Sequence, residues 1–280
     1  VVRTLNQPDL VSVIVPIYNA ALYIDDSIKS VLNQSYPNIE VIAIDDCSTD
    51  STYEILERYS DKRLRLYKNT SKLGVSETLN RGVSLARGFY IARHDADDIS
   101  LYNRIDIQVK FLKASNYDLV GCNLRRFGTK SDIVRFPTNY TRIFIRLFYG
   151  SPLAHPTVVG KASVFKQHNY DARMEYAEDY DLWERLDRYG FKITNINEVL
   201  VNYRVHDNQV SNLKSVIQNR SKESISSRRL NLFFNRSYGL RKAIEHKDVK
   251  FRWIDIVYWL ILEIKNHKRL KVIIKILGLF

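Results

Sequence analysis

Glu40-Val-Ile-Ala-Ile-Asp-Asp-Cys-Ser-Thr-Asp50 is the stretch from which the fold of this chain can be read. A short apolar run that stops abruptly in acids and hydroxyls has the pattern of a strand buried on both faces, as in a parallel sheet. In open α/β sheets ligands collect outside the carboxyl ends of the strands. Asp45 and Asp46 therefore fall where a ligand would be met, whereas Ser48 or Asp50 can cap a helix beginning near Thr52.

The same punctuation recurs on either side. Upstream, Val11-Ser-Val-Ile-Val15 reads as a first strand, broken by Pro16 and continued by Tyr18-Asn19. A helical period follows over about 23–33, with Ile24, Ile28, Val31 and Leu32 on one face. Downstream come a helix over about 52–59, a strand over 64–67, a helix over about 75–86, and the strand Gly88-Phe-Tyr-Ile-Ala-Arg-His94. Repeated βαβ units predict an α/β fold with a doubly wound, mostly parallel sheet flanked by helices. Beyond Leu101 a helix over about 103–113 and a strand over 119–123 precede a polar stretch from Arg125 to Thr141.

The strand ending at His94 runs into Asp95-Ala-Asp-Asp98. Carboxylates this close repel one another, and one or more must take up a proton unless a cation compensates. Hard oxygen ligands suit Mn²⁺ or Mg²⁺, which share protein carboxylates with substrate phosphates. Asp97 and Asp98 are the metal candidates and Asp95 lies nearer a ribose; a solvated acidic turn is the competing reading.

Bulk properties bound the rest. The 280 residues carry a formal charge of +12, but residues 1–210 hold 27 Lys and Arg against 26 Asp and Glu, while residues 211–280 hold 16 against 5. The basic character thus says little about the front of the chain. Two cysteines, Cys47 and Cys122, cannot build a disulfide framework and fit a reducing compartment. Residues 1–10 lack the segments of a signal peptide, and no apolar run reaches the roughly 18 residues of a membrane span. The expected location is the cytoplasm.

In their order and spacing, Val15-Pro-Ile-Tyr-Asn19, the Asp-Asp-Cys-Ser-Thr-Asp50 segment, residues 69–74, Asp95-Ala-Asp-Asp98, Glu178-Asp179 and Tyr203-Arg-Val-His206 resemble family 2 glycosyltransferases of the GT-A fold. The likeness covers about residues 10–210. It implies a nucleotide-sugar site with Pro16, Tyr18 and Asn19 beside the base, Asp46 reading the uracil edge, and Lys72 and Gly74 beside base and ribose. It further implies a metal motif at Asp95, Asp97 and Asp98, a catalytic base at Asp179 next to Glu178, and His206 in a loop over the diphosphate or metal. Arg204 suits the diphosphate by charge.

The Gln-x-x-Arg-Trp signature of processive synthases is missing from the sequence, so addition of a single sugar is favoured over polymerisation. The expected chemistry is transfer of a hexose or N-acetylhexosamine from a UDP-sugar to a hydroxyl of a glycan or lipid-linked acceptor in bacterial surface polysaccharide synthesis. Mn²⁺ or Mg²⁺ would steady the leaving diphosphate, Asp179 would take the proton of the acceptor, and direct displacement would invert the anomeric centre.

Competing structural readings accompany the other candidates. The acids around Asp179 could be the negative first turn of a helix. Trp183 suits the core, with sugar stacking as the alternative. His155, after the Gly150-Ser-Pro152 turn, is expected in a loop towards the acceptor.

Residues 211–280 read as a basic helical appendage. Aromatic residues beside lysines in 247–280 suggest either lying at the inner face of an anionic bilayer or packing on the domain or in a homodimer. A nucleic-acid-binding role for that tail is disfavoured by the acids of the front portion, so no nucleic-acid partner is expected. A dinucleotide-binding Rossmann domain is disfavoured because the first strand turns through Pro16-Ile-Tyr-Asn-Ala20 without the required glycines.

Overall fold

In a computed structural model, all seven residues of strand β2, Ile39–Asp45, are buried. The structure describes residues 8–174, 176–206 and 215–244, with side chains followed to 233. Around β2 the chain forms β1 (Val11–Ile17), α1 (Ile24–Leu32), α2 (Thr52–Glu57), β3 (Leu64–Lys68), α3 (Val75–Leu85), β4 (Tyr90–Arg93), β5 (Ile99–Ser100) and α4 (Arg104–Ala114). The second half adds β6 (Leu119–Gly128), β7 (Asp132–Val134), α5 (Tyr140–Arg146), a 3-10 turn at His155–Thr157, β8 (Val159–Lys161), α6 (Ala162–Gln167), α7 (Glu178–Arg188), β9 (Ile193–Val205) and α8 (Ser215–Ile244).

These strands join in one sheet in the order β3-β2-β1-β4-β8-β6-β9-β5, with β7 on β6. Neighbours β3, β2, β1 and β4 are all parallel, whereas β8 runs antiparallel to both β4 and β6. The first half is thus the expected wound βαβ unit, and the second half makes the sheet mixed.

Side chains alternate across the sheet with period two. Val11, Val13, Val15 and Ile17 of β1 join Ile24, Ile28 and Val31 of α1 and Ile105, Val109 and Leu112 of α4. Ile14, Ile42 and Ile44 project the other way, onto Leu79 and Val83 of α3. Each such aliphatic side chain taken from water contributes about 1.5–3 kcal/mol. The amphipathic spacing of α1 and α3 therefore fixes which face each helix covers.

Two expectations need correction. Pro16 does not break β1: it pairs in register with Ile44 of β2, and β4 has already ended opposite Ile14, so its missing N–H faces no second strand. The polar stretch after Arg125 is also not a loop throughout. Strand β6 runs on to Gly128 beside β9, past register shifts at Cys122/Asn123 and Asn123/Leu124, and β7 pairs with it. Alternating polar residues on an exposed ribbon concealed this strand from a search for apolar runs.

Candidate active site

Parallel β3, β2, β1 and β4 all end on one edge of the sheet, so the loops after them share a rim. Asn19 ties the loops after β1 and β2 together. Its backbone N–H donates to Ser48 Oγ at 2.9 Å, and its Oδ1 accepts from Thr49 N at 2.8 Å. Its φ of 49° lies in the left-handed region, where Asn is one of the better tolerated side chains. Asp45 is fully buried and accepts from the Ser48 N–H at 3.2 Å.

Asp46 serves the next loop. Its Oδ1 accepts from Asn69 Nδ2 at 2.7 Å and Leu73 N at 2.8 Å, and its Oδ2 from Gly74 N at 2.8 Å. The carboxylate thereby holds residues 69–74 against the end of β2. Gly74 begins α3 with a φ of 84°, a conformation L side chains avoid. Lys72 Nζ stands 3.5 Å from the centroid of the Tyr18 ring, which is itself 42% exposed. Pro16 precedes this rim by two residues.

Carboxylate oxygens of Asp95, Asp97 and Asp98 lie within 4.8 Å of one another. Asp98 is fully buried and its Oδ1 accepts from the Arg204 N–H at 2.9 Å, while its Oδ2 is buried with no hydrogen-bond partner. Burial, then the charges of Asp95 and Asp97, push the Asp98 carboxyl well above the usual carboxylate range. Burial and Asp95 raise Asp97 as well, against the opposing effect of His206. His206 Nε2 lies 3.0 Å from Asp97 Oδ2, and its ring packs on Tyr23 with centroids 4.8 Å apart. An orphaned oxygen among repelling acids fits a hard divalent cation, for which Asp95, Asp97 and Asp98 supply the clustered oxygens. Asp98 is buried whereas Asp95 and Asp97 stay partly exposed, so the cluster is not solvated throughout.

Arg204 is pinned rather than free to swing. Its Nε donates to the Asp97 carbonyl at 2.9 Å, and its guanidinium lies between the Tyr23 and Phe127 rings, 4.7 and 4.6 Å from their centroids.

A second group of acids begins α7. Glu178 Oε2 is buried without a hydrogen-bond partner, and Glu178 Oε1 lies 3.8 Å from His155 Nδ1. Burial, then Asp179, push the Glu178 carboxyl up to about 8, with Asp95 adding to the rise. Asp179 is likewise raised by burial, against its backbone hydrogen bond, Lys222, Ser151 and Arg93. Its Oδ2 accepts from Ser151 Oγ at 3.3 Å.

Arg93 is bonded to Asp95 and to the His94 carbonyl, and its charge acts on Glu178 and Asp179 as well. The acids of the β4 end and of the α7 start therefore share one electrostatic environment. Sequence reasoning left Arg93 without a role; its signal was a basic residue closing an otherwise apolar strand.

His155 departs from expectation. It lies in a 3-10 turn, not an open loop, with its side chain 10% exposed. Its Nε2 meets Tyr170 Oη at 3.0 Å, and burial, then Arg93, hold it well below the usual imidazole range. Trp183 is fully buried in the core.

The sequence profile described as glycosyl transferase family 2 matches residues 12–173. The chain belongs to this family. Among relatives of this family 2 glycosyltransferase, an uncharacterized glycosyltransferase of Haemophilus influenzae is 35% identical over 81% of this chain and 75% of its own length. The O-antigen biosynthesis glycosyltransferase WbnJ of Escherichia coli is 33% identical over 71% of this chain and 81% of its own.

Among solved structures, S. aureus TarS in complex with UDP-GlcNAc superposes with a TM-score of 0.63 at 20% identity, covering 80% of this chain and 72% of that one. The mannosyltransferase PcManGT of Pyrobaculum calidifontis, in complex with GDP-Man and Mn²⁺, gives 0.60 at 17% identity over 95% and 83%. The fold of this family 2 enzyme is thus that of GT-A glycosyltransferases.

Proposed function

We propose that this glycosyltransferase moves a hexose or N-acetylhexosamine from a UDP-sugar to a hydroxyl of a glycan or lipid-linked acceptor, with inversion, in bacterial surface polysaccharide synthesis. The carrying observation is the Asp95, Asp97 and Asp98 cluster at the end of β4 with its unpartnered buried Asp98 oxygen, and the action of the Asp95 charge on Glu178 supports reading the acids of α7 as part of the same site. The relatives named for O-antigen and teichuronic acid biosynthesis support the polysaccharide setting, and the UDP-GlcNAc complex of TarS supports the donor class.

On this reading Pro16, Tyr18 and Asn19 flank the base and Asp46 contacts the uracil edge. Lys72 and Gly74 line the base and ribose, and Asp95 lies by the ribose. Asp97, Asp98 and His206 would hold Mn²⁺ or Mg²⁺, whose positive charge would steady the departing diphosphate. Arg204 adds fixed positive charge beside the same phosphates. Asp179 accepts the proton of the attacking hydroxyl as its oxygen bonds to the anomeric carbon and the bond from that carbon to the phosphate oxygen breaks. Glu178 beside it contributes to the nucleotide-sugar site.

Release of UDP from a panel of UDP-sugars with Mn²⁺ tests the assignment, with Asp97→Ala and Asp179→Asn expected to lose at least a hundredfold in kcat while remaining folded. Wild-type activity in both would refute it. Binding provides a readout free of turnover: Mn²⁺ at about 100 times its Kd stabilises a folded protein by about 2.7 kcal/mol, so the thermal midpoint should rise in wild type and not in Asp97→Ala or Asp98→Ala.

Lys247–Phe280, on which the expectation of inner-leaflet contact rests, lies outside the described residues. Among the described residues no helix is long and apolar enough to cross a membrane. We assign that segment to peripheral contact with an anionic bilayer. Flotation with anionic liposomes should be lost when the chain ends before it.

A further inference from the structure

Helix α8 lies beyond the stretch matched by the family profile, yet it docks along the helix that carries the acceptor-side acids. Gln218 Nε2 donates to the Tyr176 carbonyl at 2.9 Å. Two turns on, Ser226 Oγ meets Tyr180 Oη at 3.1 Å. Ile225 is fully buried in the core.

Residues 218, 222 and 226 are spaced four apart and so occupy one helical face. The contacts to either side bracket Lys222: one turn before it the helix touches residue 176, and one turn after it residue 180. Its stem therefore starts level with Glu178 and Asp179, and its charge acts on the Asp179 carboxyl.

We propose that Lys222 is a positioning residue of the acceptor side, its ammonium holding the Asp179 carboxylate towards the cleft. This rests on the reading of Asp179 as the base. Other groups also face that carboxylate: Glu178 from its own helix, Arg93 from β4, the Ser151 hydroxyl, and Tyr170 from the segment before α7. Arg93 is already bonded to Asp95, and α8 brings a second cation whose charge acts on Asp179. A base on which the charges of two cations act is favoured in its charged form, as proton abstraction requires.

The test uses the intact chain with aspartate carboxyls labelled with ¹³C, the Asp179 resonance being identified by its loss in Asp179→Asn. Titration is compared in wild type, Lys222→Met and Lys222→Arg, alongside the pH profile of UDP release from UDP-GlcNAc with Mn²⁺. An ammonium favours the charged carboxylate, so removing it raises the titration midpoint. Lys222→Met should move the Asp179 midpoint up by about one unit or more and carry the acid limb of kcat with it. KM for the donor should stay within about twofold, and Lys222→Arg should restore the wild-type values.

An unmoved midpoint in Lys222→Met overturns the proposal. A midpoint that moves while Asp179→Asn keeps wild-type kcat upholds the pairing and removes only the reading of Asp179 as base.

Discussion

At the scale of single residues, Asp46 shows how one carboxylate can organise a binding loop. Three donors, from Asn69, Leu73 and Gly74, converge on its two oxygens, and the side chain is 4% exposed. Asp46→Asn would place an amide N–H against one of these donors. Hydrogen bonds to charged groups are worth about 1.5–3 kcal/mol, so the substitution should cost about 2–3 kcal/mol, read as a lower urea midpoint with an unchanged slope. Gly74→Ala meets nothing within 4 Å, so its cost is conformational only. At φ 84° and ψ 169° the expected loss is about 1–3 kcal/mol, measurable by the same titration. The positions of these residues at strand ends are legible in the sequence, because an apolar run ending in Asp-Asp has few other uses. Their partners are not, since Asn69 and Leu73 meet Asp46 only once the loop has closed.

At the scale of elements, the start of α7 concentrates negative charge where a helix terminus favours it, with Glu178, Asp179 and Asp181 all in its first turn. Each acid faces a different environment. Asp181 is fully buried and paired with Arg185 and Arg228, whereas among the described residues Glu178 has no cation within bonding distance other than what His155 could become on protonation. The Glu178 carboxyl is pushed up by burial, then by Asp179, to about 8 from an ordinary 4.5. Between those values the folded chain retains a proton that the unfolded chain has released, so this group makes stability fall as pH rises through the window. Glu178→Gln should flatten that slope and leave the variant more stable than wild type above pH 8, as followed by urea denaturation at a series of pH values. A periodicity search finds the helix and its acidic first turn, but not which acid is solvated, paired or orphaned.

At the scale of the whole molecule, α8 joins the sheet-forming part through charge as well as burial. Arg228 pairs with Asp181 and Glu184, and Arg229 with Asp187 at 2.7 Å. Glu184 is fully buried and Arg229 only 5% exposed. Removing one member of such a buried network leaves charge uncompensated, at a cost of about 3–5 kcal/mol. Arg229→Ala should therefore lower the global unfolding midpoint in one cooperative transition. A separate early transition for α8, or no change, would contradict this account. From sequence, the change in charge near residue 211 reads as a boundary, and the pairing of α8's arginines with acids of α7 is what composition could not show.

The sequence by itself determined the wound βαβ half, the two acid clusters and the family, because strand periodicity, turn residues and motif order are local properties of the chain. Only the tertiary structure decided that β6 continues as a polar ribbon, that His155 is enclosed beside Glu178, that Arg93 is bonded to Asp95 while its charge also acts on the acids of α7, and that α8 lies against α7. Those facts depend on contacts between residues tens of positions apart, whose burial and charge neighbours exist only once the sheet has closed and its helices have docked.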